Sequence, residues 1–284
     1  MPIGAHVELS PIIDTHALVI SDDPLGYPYD RNAPPFAPGE EGGLTRASAL
    51  IRALADGAGG LRGAVLVQRG RTHGFDNRLI CDLAAADPRL RALVAVDPQG
   101  GDAAALLDRP GVCGFRLMET VKGQDATWLA GAAAQVQWAL AHTRRAVVDV
   151  HAFPWNRALV LSQLDDLRRT YGDARVLLDN LGADPVSPPD AALLRLAQWP
   201  GLSLKFSAIT FARIAASGLG VADVLAAYIA AFGADRLLWG SDVLPDGVGF
   251  VQASAQAAQW LAALPEMDRA ALLHDNAARV FGLS

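Results

Sequence analysis

The feature that most constrains this chain is a regular beat of short apolar runs set between Ala/Leu-rich stretches of helical spacing. The runs fall at Pro11–His16, Gly63–Gln68, Leu90–Val96, Val112–Leu117, Ala146–His151, Arg175–Asn180, Leu202–Phe206 and Arg236–Gly240. Their near-continuous apolar character suits parallel strands covered on both faces. Helices are predicted to begin near Thr45, Asp76, Asp125, Asn156, Ser187, Val221 and Phe250, with a last one from Met267 to Phe281. Strands alternating with helices argue for a parallel α/β fold. A length of 284 residues is within the usual span of one (β/α)8 barrel, here a single domain over residues 1–284. A doubly wound open sheet is the alternative. It is weakened because no GxGxxG or phosphate loop follows any strand.

Local signals add detail. Ser187-Pro188-Pro189-Asp190 places a capping hydroxyl ahead of a helix, and Pro200-Gly201 stops that helix after Trp199. Leu193, Leu194 and Ala197, and later Leu225, Ile229 and Phe232, are spaced to face inward. The irregular insertion Ile20–Gly43, rich in Pro, Gly and Tyr, is long enough to act as a lid or pocket wall, with Tyr27–Phe36 at its centre.

Composition excludes several classes. Hydrophobic residues make up 51% of the chain and charged residues 19%, enough apolar material for a large core. The net charge is −6 and no run of Lys or Arg occurs, so the basic stripe of a nucleic-acid binder is absent. Cys81 and Cys113 form no CxxC pair and read as reduced thiols. The N-terminal MPIGAHVELSPIIDTH lacks a signal-peptide plan, and no run of about 18 apolar residues suggests a membrane span. A soluble cytoplasmic protein acting on a small molecule is the expectation, and oligomeric state is not specified.

Polar residues gather where the strands end. In order these are Asp14-Thr15-His16, Gln68, Asp97, Arg116, Asp149 and His151, Asp179 and Asn180, Lys205, and Ser241-Asp242. A buried strand ending in an ionisable group incurs a desolvation cost unless that group faces a polar pocket. In a barrel the C-terminal strand ends form that pocket. Singly, each has a plainer reading: His16 as a core histidine, Asp242 as turn chemistry, Arg116 paired with a carboxylate across the barrel, Lys205 reaching solvent. Asp14 and Asp179 read as structural groups. His6, His73, His142 and His274 fall in loops or helices and read as surface residues. The joint pattern favours a site.

These residues resemble the amidohydrolase superfamily. Pro11-Ile-Ile-Asp-Thr-His16 is similar to its Asp-x-His-x-His opening. The likeness continues through Gly26-Tyr-Pro-Tyr29, Val67-Gln68 with Asp76-Asn77, Gly114-Phe-Arg116, Val176-Leu-Leu-Asp-Asn180-Leu-Gly182, Leu204-Lys205-Phe-Ser207, Leu238-Trp-Gly-Ser-Asp242 and Asn276-Ala-Ala-Arg-Val-Phe-Gly282. The ordered series, nearly the whole chain, resembles the 2-pyrone-4,6-dicarboxylate lactonase-like branch. Two positions depart from it. Leu18 stands where the second histidine of the opening is expected, and Asn180 where the sixth strand typically ends in Asp-His-Leu-Gly. Leucine ligates nothing, and asparagine is a poor transition-metal ligand that still donates a hydrogen bond.

The resemblance implies a hydrolase for a small carboxylated lactone or related ester. Asp242 is the candidate base for water, with His16, His151 and Asn180 polarising the carbonyl. Arg116 offers a planar fork for a substrate carboxylate, with Lys205, Gln68, Arg71 and Arg213 as further substrate-binding candidates. Members of the branch can work without a divalent ion, so no cofactor is the expectation. Zinc held by His16, His151 and Asp242 is the alternative, serving a hydrolase or decarboxylase. A degenerate, non-catalytic ligand binder is a third reading, motivated by the two lost imidazoles.

Overall fold

The computed structural model describes residues 10–31, 45–97, 101–120, 122–183, 188–242 and 249–284. Eight parallel strands lie side by side in chain order. They are β1 (Ile12–Ala17), β2 (Leu61–Val67), β3 (Leu90–Val94), β4 (Val112–Met118), β5 (Val147–His151), β6 (Arg175–Leu178), β7 (Leu202–Ser207) and β8 (Leu237–Gly240). The predicted strands are therefore found to within two residues at their ends. Sequential order, with helices between, is the (β/α)8 arrangement.

The seam between β8 and β1 closes through specific hydrogen bonds. Asp242 N–H donates to the His16 carbonyl (3.1 Å), Thr15 Oγ1 to the Trp239 carbonyl (2.6 Å) and Ser241 N–H to Asp14 Oδ1 (2.7 Å). Gly240 permits the approach, because a Cβ there would lie 2.5 Å from His16 Cβ and 2.7 Å from His16 N. Along the β1–β2 pairing, Asp14 faces Ala64 and Ala17 faces Leu66, so β1 carries one extra residue at Thr15-His16. Such a bulge re-aims a side chain, and here the side chain is His16.

The helices include α1 (Ala47–Asp56), α2 (Arg78–Ala86), α3 (Ala103–Leu107), α4 (Ala132–Arg144), α5 (Arg157–Thr170), α6 (Ala191–Leu196), α7 (Ala208–Ala216), α8 (Val221–Phe232) and α9 (Phe250–Trp260). Thr45 belongs instead to a two-residue strand pairing with Val19–Ile20. Helix α6 starts at Ala191, with Asp190 rather than a serine as its cap, accepting from Ala192 and Leu193 N–H (3.0 Å each). Ser187, residues 32–44 of the predicted lid and residues 243–248 after Asp242 lie outside the described residues. Leu193 and Ala197 are buried as expected, but Leu194 is 46% exposed. The last helix runs Glu266–Phe281 through a widened, π-type turn at Ala271–Asp275.

Two apolar layers hold the fold. The larger lies between strands and helices and includes Leu50, Trp138, Leu164, Trp199 and Tyr228. The smaller includes Ile13, Val65, Leu93, Val147, Leu177 and Leu238, packed with Phe281 and Leu283 from the C-terminus. Strand side chains alternate between faces. Residues two further on from this second set, Asp149 after Val147 and Asp179 after Leu177, therefore share its side of the sheet. A charged layer stands on an apolar one. No single helix among the described residues is long and apolar enough to cross a membrane.

Candidate active site

Lys205 is the centre of the charged layer. It is 1% exposed, and its Nζ lies 2.6 Å from Asp149 Oδ1, 3.0 Å from Asp179 Oδ1 and 3.1 Å from His16 Nδ1. The plainer reading, a route to solvent, gives way to full burial among acceptors, and the ammonium that was a substrate-binding candidate is engaged by these three groups. Burial alone would push the ammonium's pKa down, but Asp149 and Asp179 outweigh it and hold the pKa up. Burial would likewise raise Asp179, yet Lys205, His16 and the His151 hydrogen bond pull its carboxyl well below the usual range. Asp149 goes the other way, raised by burial and by the Asp179 charge against the pull of Lys205 and Arg116.

Arg116 supplies the second cation, pairing with carboxylates as its plainer reading anticipated. Its Nη2 is 3.6 Å from Asp179 Oδ2 and its Nε 4.0 Å from Asp149 Oδ2, while Nη1 donates to the Gln68 carbonyl at 3.4 Å. Two carboxylates and two cations thus balance in a dry layer, the condition under which buried charges are tolerated.

The histidines stand between these charges. His16 Nδ1 faces the Lys205 ammonium, and its Nε2 lies 3.5 Å from Arg116 Nη1 and 3.7 Å from Asp242 Oδ1. An ionised carboxylate only accepts, so His151 donates Nδ1–H to Asp179 Oδ2 (3.0 Å). Phe153 packs edge-on against His151 at 4.5 Å.

Asp242 is 8% exposed and sits past β8 with φ +42°. This left-handed backbone is uncommon for a non-glycine residue and concentrates at functional sites. Asn180 lies beyond the end of β6, in a turn where residues 180 to 183 all have positive φ. Its Oδ1 accepts from Ser207 Oγ (2.9 Å), the residue that caps α7. The carbonyl end is thereby anchored.

The side chains of the remaining sequence candidates turn to other partners or lie elsewhere. Gln68 gives its amide nitrogen to the Gly74 (2.9 Å) and Asp76 (3.1 Å) carbonyls, tying down the loop after β2. Arg213 is exposed on α7. Arg71 is on the short turn Gly70–His73, and its side chain lies outside the described residues. Asp14 is structural as expected, accepting from His16 N–H (2.9 Å) and Ser241 N–H. His73 corrects the surface reading: it is 4% exposed, its Nδ1 is 3.1 Å from the Pro28 carbonyl, and burial lowers its pKa. Leu18 packs against the apolar set that contains Ile13 and Val67. Sequence reasoning left Asp149 and Asp179 out of the site. Their signal was the two-residue spacing Val147-Asp149-His151 and Leu177-Asp179.

A metal, if bound, would find a different set from the one predicted. Among the described residues only His16, Asp149 and Asp179 bring one ligand atom each within 4.8 Å of one another. Nitrogen and carboxylate oxygen suit a divalent ion. Lys205 Nζ contacts the same three residues, so an ion and the ammonium would compete for one position.

Comparison with known proteins places this geometry. A crystal structure of a probable 2-pyrone-4,6-dicarboxylic acid hydrolase from Acinetobacter baumannii, with citric acid bound, matches with TM-score 0.72 and 21% identity over 96% of this chain and 99% of that one. A putative 2-pyrone-4,6-dicarboxylic acid hydrolase from Pseudomonas putida matches with TM-score 0.71 and 27% identity over 97% and 98%. A zinc-bound amidohydrolase from Burkholderia multivorans matches with TM-score 0.70 and 20% identity over 97% and 100%. No curated protein matches significantly. The sequence pattern described as Amidohydrolase covers residues 13–283, and the chain belongs to the amidohydrolase family.

Proposed function

We propose that this protein hydrolyses a small lactone or related ester that carries a carboxylate, without a resident metal. The observation that carries the reading is the placement of Lys205 Nζ among His16, Asp149 and Asp179. A fixed ammonium there supplies the positive charge that the carboxylates need and faces His16 Nδ1. The names of two structural relatives, hydrolases of a dicarboxylated pyrone, support the substrate class.

In this reading Asp242 takes a proton from water as the hydroxide adds to the lactone carbonyl. The developing oxyanion accepts from His16 Nε2–H and from the amide nitrogen of Asn180, whose other end Ser207 holds. Collapse breaks the ring C–O bond, and the leaving alkoxide takes up the proton. Asp242 gives back the proton that it took from water, which restores its carboxylate, and His151, held by Asp179, is the further group that polarises the carbonyl. Arg116, which also lines the adjoining cavity, binds the substrate carboxylate. Positioned acid–base groups contribute about 10²–10⁴-fold each.

A screen of carboxylated lactones tests the proposal, using protein purified without chelator and assayed for metal. Turnover by metal-free protein is expected, falling about 10²-fold or more in Asp242→Asn. Equal rates for the two forms would remove Asp242 as the base. Stoichiometric zinc or manganese required for turnover would favour the metal-dependent reading, for which the His16, Asp149 and Asp179 donors provide the ligands.

A further inference from the structure

The opposite end of the barrel, where the strands begin, is also polar. On β6 the inner apolar residue Leu177 stands two before Asp179, and Arg175 stands two before Leu177 on the same side of the sheet. Ser203 pairs with Leu177 across β6 and β7 and lies two residues before Lys205. Four residues of strand, about 13 Å at 3.3 Å per residue, thus separate Arg175 from the charged cluster. Two cavities of about 250 and 440 Å³ lie at this end. Arg145, Arg175 and Arg279 line both, and Ser203 and Arg236 line the smaller.

The shared arginines are not neutralised by the protein. Arg236 is tied to the Ala197 and Trp199 carbonyls (3.0 Å each) and has Asp235 beside it in the wall. Arg279 Nη2 donates to the Asp235 carbonyl (2.5 Å) and Arg175 Nη1 to the Val280 carbonyl (3.4 Å), while the Arg145 side chain makes no hydrogen bond among the described residues. None of these three pairs with a carboxylate among the described residues. In a chain of net charge −6, three unpaired cations around one pair of cavities make a local positive field that draws anions. A second feature lies on the cavity floor. Ser203 is 7% exposed, and its Oγ has no hydrogen-bond partner among the described residues yet keeps an accessible surface in the cavity that it lines. A largely buried hydroxyl without a partner is costly, and a ligand oxygen would supply one.

We propose that the strand-entry end of the barrel binds a small phosphorylated anion, its phosphoryl oxygens held by Arg145, Arg175 and Arg279 and by the Ser203 hydroxyl. Guanidinium forks match phosphoryl oxygens bidentately, and the serine hydroxyl donates to a further oxygen. The smaller cavity seats one phosphoryl group over Ser203. The larger, which shares the three arginines, has room for a second, so a diphosphate fits better than phosphate alone. A monocarboxylate brings one charge to three cations and is the poorer match. The inner layer of Val147 and Leu177 separates this site from the charged cluster, so it stands independently of the reaction proposed for the other end.

Titration calorimetry at low ionic strength, where exposed guanidiniums are least screened, tests the site with pyrophosphate, inorganic phosphate and acetate. Wild type is expected to bind pyrophosphate about 10-fold or more tighter than phosphate, and acetate more weakly still. Arg145 has φ +54°, a backbone that glycine adopts without strain, so Arg145→Gly removes the cation and keeps the fold. Arg279→Ala removes an exposed side chain. Each is expected to weaken pyrophosphate about 3- to 10-fold, and the two together about 10- to 100-fold. Ser203→Ala is expected to weaken it about 3- to 10-fold. Arg52→Ala, an equal loss of charge at an exposed position on α1, is expected to change nothing, and thermal melts check that every variant folds. Failure of wild type to bind pyrophosphate, an unchanged affinity in the double variant or in Ser203→Ala, or an equal loss in Arg52→Ala overturns the proposal.

Discussion

Replacing Lys205 by methionine keeps the length of the side chain and removes its charge. The ammonium is 1% exposed and lies between two carboxylates that are 0% and 1% exposed, at 2.6 and 3.0 Å. Arg116, at 3.6 to 4.0 Å, is then the remaining cation for both. Breaking a buried ion pair from one side costs about 3–5 kcal/mol, a large part of a total stability of about 5–15 kcal/mol. With a urea slope of about 3 kcal/mol/M the midpoint falls by roughly 1 to 1.7 M. The loss depends on pH with a definite sign. Asp179 has its carboxyl held well below 3.8 in the folded wild type, where burial is outweighed by Lys205 and its neighbours. That stability is present above the unfolded pKa and disappears as pH falls through the folded one. Asp149 is already raised by burial, and without Lys205 it rises further, so the variant's folded state binds protons that relieve it. The gap between wild type and Lys205→Met in urea melts is therefore expected to be larger at pH 7 than at pH 4. Zinc or manganese is expected to stabilise the variant, whose vacated position lies among three ligand atoms, and to leave the wild type unchanged. A variant as stable as wild type, or a gap independent of pH, refutes the view of Lys205 as the cation of the site.

Other perturbations separate the remaining elements. Gly240→Ala forces a Cβ to within 2.5 Å of His16 Cβ and 2.7 Å of its backbone nitrogen. A loss of about 1–3 kcal/mol in thermal unfolding is expected, and an unchanged melt would mean that the β8–β1 seam yields freely. Arg116→Lys keeps the charge and loses the fork, so KM for a carboxylated substrate is expected to rise about 10-fold or more with a smaller change in kcat. The reverse split would place Arg116 in the chemical step.

The strands and their order were legible because the chain alternates β-rich and helical runs, and the polar strand ends marked which rim to inspect. The partners inside the barrel were less legible for a physical reason. A strand buried on both faces is apolar at nearly every position, so its sequence does not say which parity points inward. On β6 this matters directly. Asp179 follows the inward Leu177 by two, whereas Asn180 falls in a turn of left-handed residues. Reading by motif gave the site to Asn180 and a supporting role to Asp179. The structure shows Asp179 contacting Lys205, Arg116, His16 and His151. Likewise the bulge that re-aims His16 depends on pairing with β2, a long-range fact that no local pattern records.

The two departures from the family pattern acquire a common account once Lys205 is placed. A second imidazole beside His16 would matter most if a dication had to be held there. With an ammonium on Asp149, Asp179 and His16 Nδ1, that position already contains a cation, and a side chain at residue 18 is free to be apolar. Leu18 meets the same apolar set as Ile13 and Val67, where an imidazole would need a hydrogen-bond partner to offset its burial. At Asn180 the amide oxygen is fixed by Ser207, which leaves the amide nitrogen as a donor. Neither leucine nor an anchored asparagine adds a metal-binding imidazole beside Lys205. The double restoration Leu18→His with Asn180→His therefore introduces two imidazoles without removing Lys205. Zinc affinity is expected to stay low in that form and to rise only when Lys205→Met is added, since the competing charge, not the count of imidazoles, governs the position.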